Sequence, residues 1–246
     1  MCIVPGSGEL VATPDQLVRG LDIPELGILI FTEYMAEAVG ELAAINSELR
    51  PSNKPYRIKY DGVELALIYP FYGAPATIFA LELAIASGLR KFIAVGEAGS
   101  IHPEVGIGDY VLPDWGVREE GTSYHYMPPD YVPRVDNKVF RGLRGRLDGR
   151  GLKYRVGGVW STDAVFRETV DKVRRYSSQG VLCVDMESTA LMAVSEYHGV
   201  ELAILLVISD ELYSGRWVRG WGSGLLKEAE YMAVEICLET IVSGLD

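Results

Sequence analysis

Three acidic residues interrupt the most apolar part of the sequence, the segment from Val181 to Leu212. Asp185 and Glu187 follow a short apolar run, and Asp210 follows a second, longer one. Carboxyl groups beside buried strands can exchange protons with a bound ligand. The spacing of these residues therefore predicts a functional site at the ends of two neighbouring buried elements.

The elements around these residues are a predicted strand, helix and strand. Residues 181–184 are apolar, residues 187–198 have an apolar face with helical spacing, and Gly199 closes the helix. Residues 200–208 are almost entirely apolar, as in a strand that is covered on both faces. Asp210 then lies just beyond the carboxyl end of a buried strand, where open α/β sheets bind their ligands.

The same alternation of strands and helices continues along the chain. After an irregular lead-in over residues 1–25, the predicted strands are residues 26–31, a hairpin over 56–69 that turns at Asp61-Gly62, and residues 91–95, 110–112 and 154–160. The predicted helices are residues 33–49 with Thr32 as the cap, 74–86, 136–149, 167–177 and 224–242. This order predicts an α/β fold, a three-layer α/β/α sandwich with a mixed central β-sheet. Because no linker divides the chain, we expect a single domain over residues 1–246.

Three segments between these elements are predicted to contribute to a site. Gly96 to Ser100 is a loop of small residues that follows the predicted strand over residues 91–95, and it includes Glu97. Residues 115–134 form an aromatic and polar loop that is too long for a simple connection. We expect this loop to form a site wall, an interface or a lid, and residues 217–221 to form an interface or a lid.

Composition and charge exclude several classes of function. The chain is 48% hydrophobic and 23% charged, which is typical of a soluble globular protein. The formal charge of −11 and the lack of a basic stripe argue against nucleic-acid binding. The three cysteines have no metal-ligand spacing, so neither a metal nor a disulfide framework is expected. The lack of a signal-peptide pattern and of a run of about 18 apolar residues predicts a cytoplasmic protein without membrane contact.

Several short motifs together resemble those of a known superfamily. They are Val95 to Ile101, Pro103 to Asp109, Ser161-Thr162-Asp163, Val184 to Ser188 and Ile208-Ser209-Asp210. Their order and spacing are similar to those in purine nucleoside phosphorylases, uridine phosphorylases and methylthioadenosine nucleosidases. The resemblance covers residues 26–244. It implies the nucleoside phosphorylase-like fold and an enzyme that cleaves the N-glycosidic bond of a nucleoside, without an organic cofactor or a metal.

The resemblance also implies roles for individual residues. Such an enzyme gains by binding the sugar hydroxyls and by protonating the departing base, because the transition state resembles a ribosyl cation. By position, Glu187 would bind ribose hydroxyls, and Asp210 would protonate or hydrogen-bond N7 of a purine. Glu97 is a third catalytic candidate. The further predicted substrate contacts are Met186 under the sugar, Phe166 stacked on the base, and Gly96, Ser209, His125 and Arg167.

The predicted substrate is a purine nucleoside. Residues 166–168 read Phe-Arg-Glu, whereas the related pyrimidine enzymes have a Gln and Arg pair there. Uridine remains an alternative, because residues 119–126 resemble a loop of the uridine phosphorylases. The resemblance further implies a homo-oligomer, either a dimer or a hexamer.

The chain departs from the resemblance where the relatives bind phosphate. Ala94 replaces an Arg, Glu97 replaces a Ser or Thr, and residues 31–34 replace a Gly-Asp-Pro turn. Two unit charges about 4 Å apart interact by roughly 4 kcal/mol at an effective dielectric near 20, so a Glu in place of a neutral donor weakens phosphate binding. The expectation is therefore a nucleoside phosphorylase with an atypical phosphate site.

Different residues are candidates for the nucleophile side of the site. A separate anion site could be built from Arg50, Arg118 or Arg167. The alternative to phosphorolysis is hydrolysis with Glu33, Glu37 or Glu97 as the base, since water needs no anion site. A protein that binds nucleosides without catalysis is the other alternative.

Overall fold

The computed structural model describes residues 8–243. Its strands are β1 (Leu26–Ile30), β2 (Tyr56–Tyr60), β3 (Val63–Ile68), β4 (Lys91–Ser100), β5 (Tyr110–Glu119), β6 (Tyr154–Thr162), β7 (Val181–Asp185), β8 (Glu201–Glu211) and β9 (Val218–Arg219). Its α-helices are α1 (Glu33–Leu42), α2 (Ala74–Ala86), α3 (Lys138–Gly149), α4 (Val170–Ser177), α5 (Ser188–His198) and α6 (Gly224–Val242). Short 3-10 turns cover Pro14–Gln16, Thr122–His125 and Val165–Arg167.

Five strands of the mixed sheet close into a ring. β4 pairs in parallel with β8, β8 pairs with β5, β5 with β6, and β6 with β7. β7 then returns to β4, because Val184 and Cys183 pair with Gly99 and Ser100. The other strands extend the sheet as β2-β3-β1 beside β4 and as β9 beside β8. The ring brings the ends of β4, β7 and β8 together, and these are the strands that carry the acidic segments.

Helices cover the sheet in two groups, and this arrangement confirms the predicted α/β/α fold. α6 contacts α1, α3 and the strands β1, β4 and β8. α5 contacts α2 and the strands β5, β6 and β8. Strand β8 is buried at every residue except the first and the last, as its apolar sequence predicts. The core therefore lies on both faces of the strands that lead to the site.

Several predicted elements have the bounds that the sequence indicated. α2 and α6 begin and end at the predicted residues. The hairpin turn at Asp61 and Gly62 is confirmed, with φ angles of 46° and 82° that a tight two-residue turn requires. Residues 8–25 contain only the 3-10 turn within the predicted lead-in, and residues 1–7 lie outside the described part of the chain. Among residues 8–243, no helix has the length and apolar character that a membrane span requires.

The predicted loop from Gly96 to Ser100 is wrong, because β4 continues through these residues. They pair with β8 from Leu206 to Glu211, a contact between distant parts of the sequence. The glycines are needed for close packing rather than for a turn. A Cβ on Gly96 would lie 2.8 Å from Phe31 Cδ2, and one on Gly99 would lie 2.5 Å from Leu212 Cδ1.

Three other boundaries also differ from the prediction. The predicted loop over residues 115–134 begins as strand, since β5 runs to Glu119. α1 ends at Leu42 instead of Leu49, because Ala43 is extended and Ala44 pairs with Lys59. The helix predicted from Arg167 is divided into a 3-10 turn and α4, which begins at Val170 after the Thr169 cap. Each difference follows from a strand contact or a cap that competes with the local pattern.

Candidate active site

A cavity of about 620 Å³ opens where β1, β4, β7 and β8 end. Seven of the predicted site residues line it, namely Gly96, Glu97, Phe166, Met186, Glu187, Ser209 and Asp210. Six carboxyl groups line the cavity, those of Glu33, Glu97, Glu168, Asp185, Glu187 and Asp210. Six aromatic rings also line it, those of Phe31, Tyr34, Tyr72, Phe166, Trp217 and Trp221. No Lys, Arg or His of residues 8–243 is part of this lining.

Glu187 is buried at the N-cap position of α5. Its Oε1 accepts a 2.6 Å hydrogen bond from the backbone N–H of Gly73, and its Oε2 accepts one of 3.2 Å from the N–H of Met186. Burial raises the pKa of Glu187 to about 8, and the nearby Asp185 adds to this effect. Around neutral pH the protonated form is therefore favoured, and it can donate a hydrogen bond as well as accept one.

Asp185 fixes the junction between β7 and α5. Its Oδ1 accepts a 2.5 Å hydrogen bond from Ser161 Oγ, and its Oδ2 accepts one of 2.9 Å from the backbone N–H of Ser188. Burial raises the pKa of Asp185, whereas these hydrogen bonds lower it. Both oxygens are thus bound within the protein, so Asp185 positions the start of α5 and the neighbouring Glu187.

Asp210 is the second-last residue of β8, so the prediction that it lies just beyond the strand is wrong, because the strand continues to Glu211. Its Oδ1 accepts a 2.8 Å hydrogen bond from Ser209 Oγ, and its Oδ2 accepts one of 2.7 Å from Trp217 Nε1. Burial raises the pKa of Asp210, and the two hydrogen bonds lower it. Gly99 faces this group, since a Cβ there would lie 3.2 Å from Asp210 Oδ2. The carboxyl group is therefore held by its own strand and by the segment before β9.

Glu97 and Glu230 are neighbouring carboxyl groups beside the cavity, and the proximity of Glu97 raises the pKa of Glu230. Trp221 Nε1 donates a 2.8 Å hydrogen bond to Glu97 Oε2, and Thr32 Oγ1 donates one of 3.0 Å to Glu230 Oε1. Burial and the proximity of Glu97 together raise the pKa of Glu230 to about 8. Glu97 reaches the cavity, while Glu230 lies behind it on α6.

Phe166 and Glu168 also line the cavity, on and just after a 3-10 turn. The Phe166 ring is 91% exposed and is therefore free to stack on a ligand. Burial raises the pKa of Glu168 to about 7, with a further contribution from the charge of Asp210. Glu168 is thus a second carboxyl group that can exchange a proton near Asp210.

Two predicted substrate contacts, His125 and Arg167, do not line the cavity. His125 is exposed in the 3-10 turn over residues 122–125, which contacts α2 and α5 instead. Arg167 is exposed and is absent from the lining, although its neighbours Phe166 and Glu168 are part of it. Within the described chain, neither residue joins the other predicted contacts.

The arginines predicted for a separate anion site lie elsewhere. Arg118 donates to Ser123 Oγ and to the carbonyl oxygen of Pro128, and its guanidinium lies 3.9 Å from the centroid of the Tyr124 ring. It therefore holds the loop after β5 together. Arg50 forms a surface ion pair with Glu48 at 2.9 Å. Neither residue lines the cavity that holds the predicted site residues.

Of the candidate bases, Glu33 and Glu97 line the cavity and Glu37 does not. Glu37 lies 3.7 Å from Lys227 Nζ and lines a second cavity of about 650 Å³, which also includes Arg50. The two cavities share Glu33 and Tyr72. Among residues 8–243, no three His, Cys, Asp or Glu side chains are grouped as metal ligands.

Sequence reasoning missed Glu168 and Glu230 as site residues and did not assign Trp217 a contact. Glu230 had a signal, because it is a charged residue on the apolar face of α6, one turn from Leu226 and Ala233. Residues 217–221 were predicted as an interface or a lid, and both tryptophans of this segment contact site carboxyl groups. Glu168 had no comparable signal, since its burial depends on how the turn folds over Asp210.

The sequence and the fold of this chain are similar to those of known proteins. A family model described as the phosphorylase superfamily matches residues 25–232. A guanosine phosphorylase from Halorubrum lacusprofundi is 25% identical over 205 residues, 82% of this chain and 85% of that protein. A DeoD-type purine nucleoside phosphorylase from Bacillus cereus is 28% identical over 158 residues, 63% of this chain and 67% of that protein.

A solved structure supports the fold assignment. The crystal structure of a uridine phosphorylase from Vibrio fischeri superposes with a TM-score of 0.78, covering 94% of this chain and 95% of that one at 22% identity. Because the family model spans most of the sequence and the fold agrees, this chain belongs to the phosphorylase superfamily.

Proposed function

We propose that the protein cleaves the N-glycosidic bond of a purine nucleoside and that water is the attacking nucleophile. The observation that carries this proposal is the composition of the cavity lining, which includes six carboxyl groups and no cationic side chain of residues 8–243. A neutral nucleoside and water fit such a cavity better than a phosphate dianion does.

The grouping of Met186, Glu187, Asp210 and Phe166 in one cavity supports the nucleoside as substrate. Glu187 can bind sugar hydroxyls as donor and acceptor, while Met186 packs beneath the sugar. Phe166 offers an exposed ring for stacking on a purine. In this proposal Asp210 contacts the edge of that base.

The balance of charges separates the two nucleophiles. One carboxylate about 4 Å from a phosphate charge costs roughly 4 kcal/mol at an effective dielectric near 20, which is about a thousandfold in affinity. Water has no charge and gains from a nearby carboxylate base. Glu97 and Glu33 are the carboxyl groups of the nucleophile side that line the cavity.

The proposed reaction moves two protons. The water oxygen bonds to the anomeric carbon while its proton moves to a carboxylate, and the electron pair of the breaking N-glycosidic bond passes to the base. The departing base takes a proton from Asp210 or Glu168, whose pKa burial raises in both cases. The products are the free sugar and the neutral base.

Base release measured with and without phosphate tests this proposal. Inosine, guanosine, adenosine, methylthioadenosine and uridine are each incubated with the purified protein, and the free base is quantified by chromatography. We expect purine release at the same rate in both conditions. Release that requires phosphate would reject water as the nucleophile.

Phosphorolysis is the second candidate, and the names of the relatives favour it. The proteins from Halorubrum and Bacillus are a guanosine phosphorylase and a purine nucleoside phosphorylase. In this chain, phosphate binding would need cations from outside the cavity lining, for example from a second copy in a dimer or a hexamer. A protein that only binds nucleosides is distinguished by the same assay, because it would bind inosine without releasing hypoxanthine.

A further inference from the structure

Glu230 is an unusual residue for its position. It lies on the apolar face of α6 between Leu226 and Val234, and only 1% of its surface is exposed. An isolated carboxylate in such a place costs several kcal/mol unless it is paired or protonated. Lys227 on the same helix does not pair with it, because its Nζ lies 3.7 Å from Glu37 and 5.2 Å from the centroid of the Tyr34 ring.

The hydrogen bonds of Glu230 are complete only if a proton is present. Its Oε1 accepts from Thr32 Oγ1, but its Oε2 receives no hydrogen bond from an N–H or O–H group of residues 8–243. The carboxyl group of Glu97 lies close enough to Glu230 to raise its pKa. Two carboxylates in contact repel each other, whereas a single proton between them satisfies both.

Glu97 is held from the other side by an aromatic donor. Trp221 Nε1 donates a hydrogen bond to Glu97 Oε2. A proton shared with Glu230 would give the Glu97 carboxyl group a second partner and fix its position. The side chain nevertheless faces the cavity, together with Thr32 and Glu33 at the end of β1. Tyr72 is nearby as well, since Glu97 contributes to its raised pKa after burial.

We infer that Glu97 and Glu230 act as one proton-sharing unit, in which Glu97 is the catalytic base for water and Glu230 is its positioning residue. This inference rests on the proposed hydrolysis. As the water oxygen bonds to the anomeric carbon, its proton moves to the Glu97 carboxylate, and Glu230 keeps its own proton on the hydrogen bond to Glu97. When the products leave, Glu97 returns the proton to solvent.

Several groups face this pair and influence its titration. They are Thr32 and Glu33 at the start of α1, Tyr72 before α2, Asp210 on β8, Trp221 before α6, and Lys227 on α6 itself. Burial and Glu97 raise the pKa of Glu230, and Thr32 and Lys227 lower it, with the result near 8. Above that pH the shared proton is lost and the two carboxylates repel each other.

An infrared titration tests the shared proton without depending on activity. We expect the spectrum of the full-length protein at neutral pH to contain a carboxylic-acid C=O band that is absent in Glu230→Gln and displaced in Glu97→Gln. The matched control is Glu228→Gln, an exposed position on the same helix. An unchanged band in Glu230→Gln would overturn the inference, even if the wild-type protein proves to cleave no nucleoside.

The kinetic test separates positioning from packing. Glu230→Gln keeps an N–H donor toward Glu97, and we expect its kcat to stay within about threefold of wild type, whereas kcat of Glu230→Met falls about tenfold or more at unchanged KM. Glu97→Gln should lose about a hundredfold or more in kcat. Circular dichroism confirms that each variant is folded.

The pH profile supplies the last readout. The pKa of Glu187 is also about 8, so Glu187 changes the rate in the same pH range. Dividing kcat of Glu230→Gln by kcat of wild type at each pH removes this shared effect. We expect this ratio to rise above pH of about 8, because only the wild-type pair loses its proton there. The positioning role of Glu230 would be overturned if Glu230→Gln and Glu230→Met had equal kcat and the ratio to wild type did not change with pH. The proposed hydrolysis would remain intact.

Discussion

The backbone N–H of Gly73 donates a 2.6 Å hydrogen bond to Glu187 Oε1, and this contact joins the segment before α2 to the start of α5. Gly73 has a φ of 95°, a conformation that favours glycine, so its N–H can point at the carboxyl group. The sugar-binding candidate is therefore positioned by two separate elements rather than by its own helix alone.

Glu187→Gln should reduce kcat/KM by about a hundredfold or more while the protein stays folded. The amide can accept only one of the two backbone N–H bonds, so an unpaired donor should also lower the free energy of unfolding by about 1–3 kcal/mol. Steady-state kinetics and thermal unfolding measure the two effects. Wild-type kcat/KM in the variant would contradict a role for this carboxyl group in sugar binding.

Trp217→Phe should remove the hydrogen bond to Asp210 Oδ2 and thereby raise the pKa of Asp210 further, because that bond stabilises the charged form. Loss of a bond to a charged group corresponds to about 1.5–3 kcal/mol, so kcat/KM should change by about tenfold or more. NMR titration of a protein with labelled aspartate follows the pKa of Asp210. The idea fails if both the pKa and the rate remain those of wild type.

Phe166→Ala should weaken substrate binding with little effect on folding. The ring is 91% exposed, so its removal deletes few protein contacts. Loss of stacking on a purine costs about 1 kcal/mol, which predicts a several-fold increase in KM. Equilibrium binding of inosine measures the affinity, and the thermal midpoint measures the stability. Unchanged affinity would show that Phe166 does not contact the base.

Gly99→Ala should disrupt the site, because the new Cβ would lie 2.5 Å from Leu212 Cδ1 and 3.2 Å from Asp210 Oδ2. We expect a loss of activity that exceeds tenfold, by displacement of Asp210. Gly145→Ala in α3 is the matched control, since no atom lies within 4 Å of its Cβ and alanine favours helix by up to about 1 kcal/mol. Equal activity of the two variants would show that Asp210 is not constrained by β4.

The stability of the protein should depend on Glu230 in a pH-dependent way. Its folded-state pKa of about 8 lies above the ordinary value of 4.5, so the folded state holds this proton more tightly than the unfolded chain does. The resulting stabilisation is complete below pH of about 4.5 and is lost as the pH rises through about 8. Glu230→Gln does not titrate, and its thermal midpoint relative to wild type should therefore increase between those pH values. Glu228→Gln should show no such trend.

The helices and the acidic strand ends could be predicted from the sequence because their signals are local. The apolar spacing of α6 and the polar break before Glu187 each lie within a few residues. The contact between Glu97 and Glu230 is different, since it joins residues far apart in the chain and depends on how α6 crosses β4. The continuation of β4 through Gly96 likewise depends on pairing with β8, which local patterns do not contain.

The positions of the arginines could not be predicted from the sequence for the same reason. Arg118 had the right charge for an anion site, but its burial among carbonyl groups of the loop after β5 is a tertiary property. That no Lys or Arg of residues 8–243 lines the cavity could not be inferred from a sequence with 23 such residues.

Mass spectrometry of the sugar product formed from inosine in the presence of phosphate is the most direct test of the central claim. A cavity lined by carboxyl groups without a cationic side chain of residues 8–243 predicts free ribose as the product. Ribose 1-phosphate as the only sugar product would contradict it and would show that phosphate is the nucleophile.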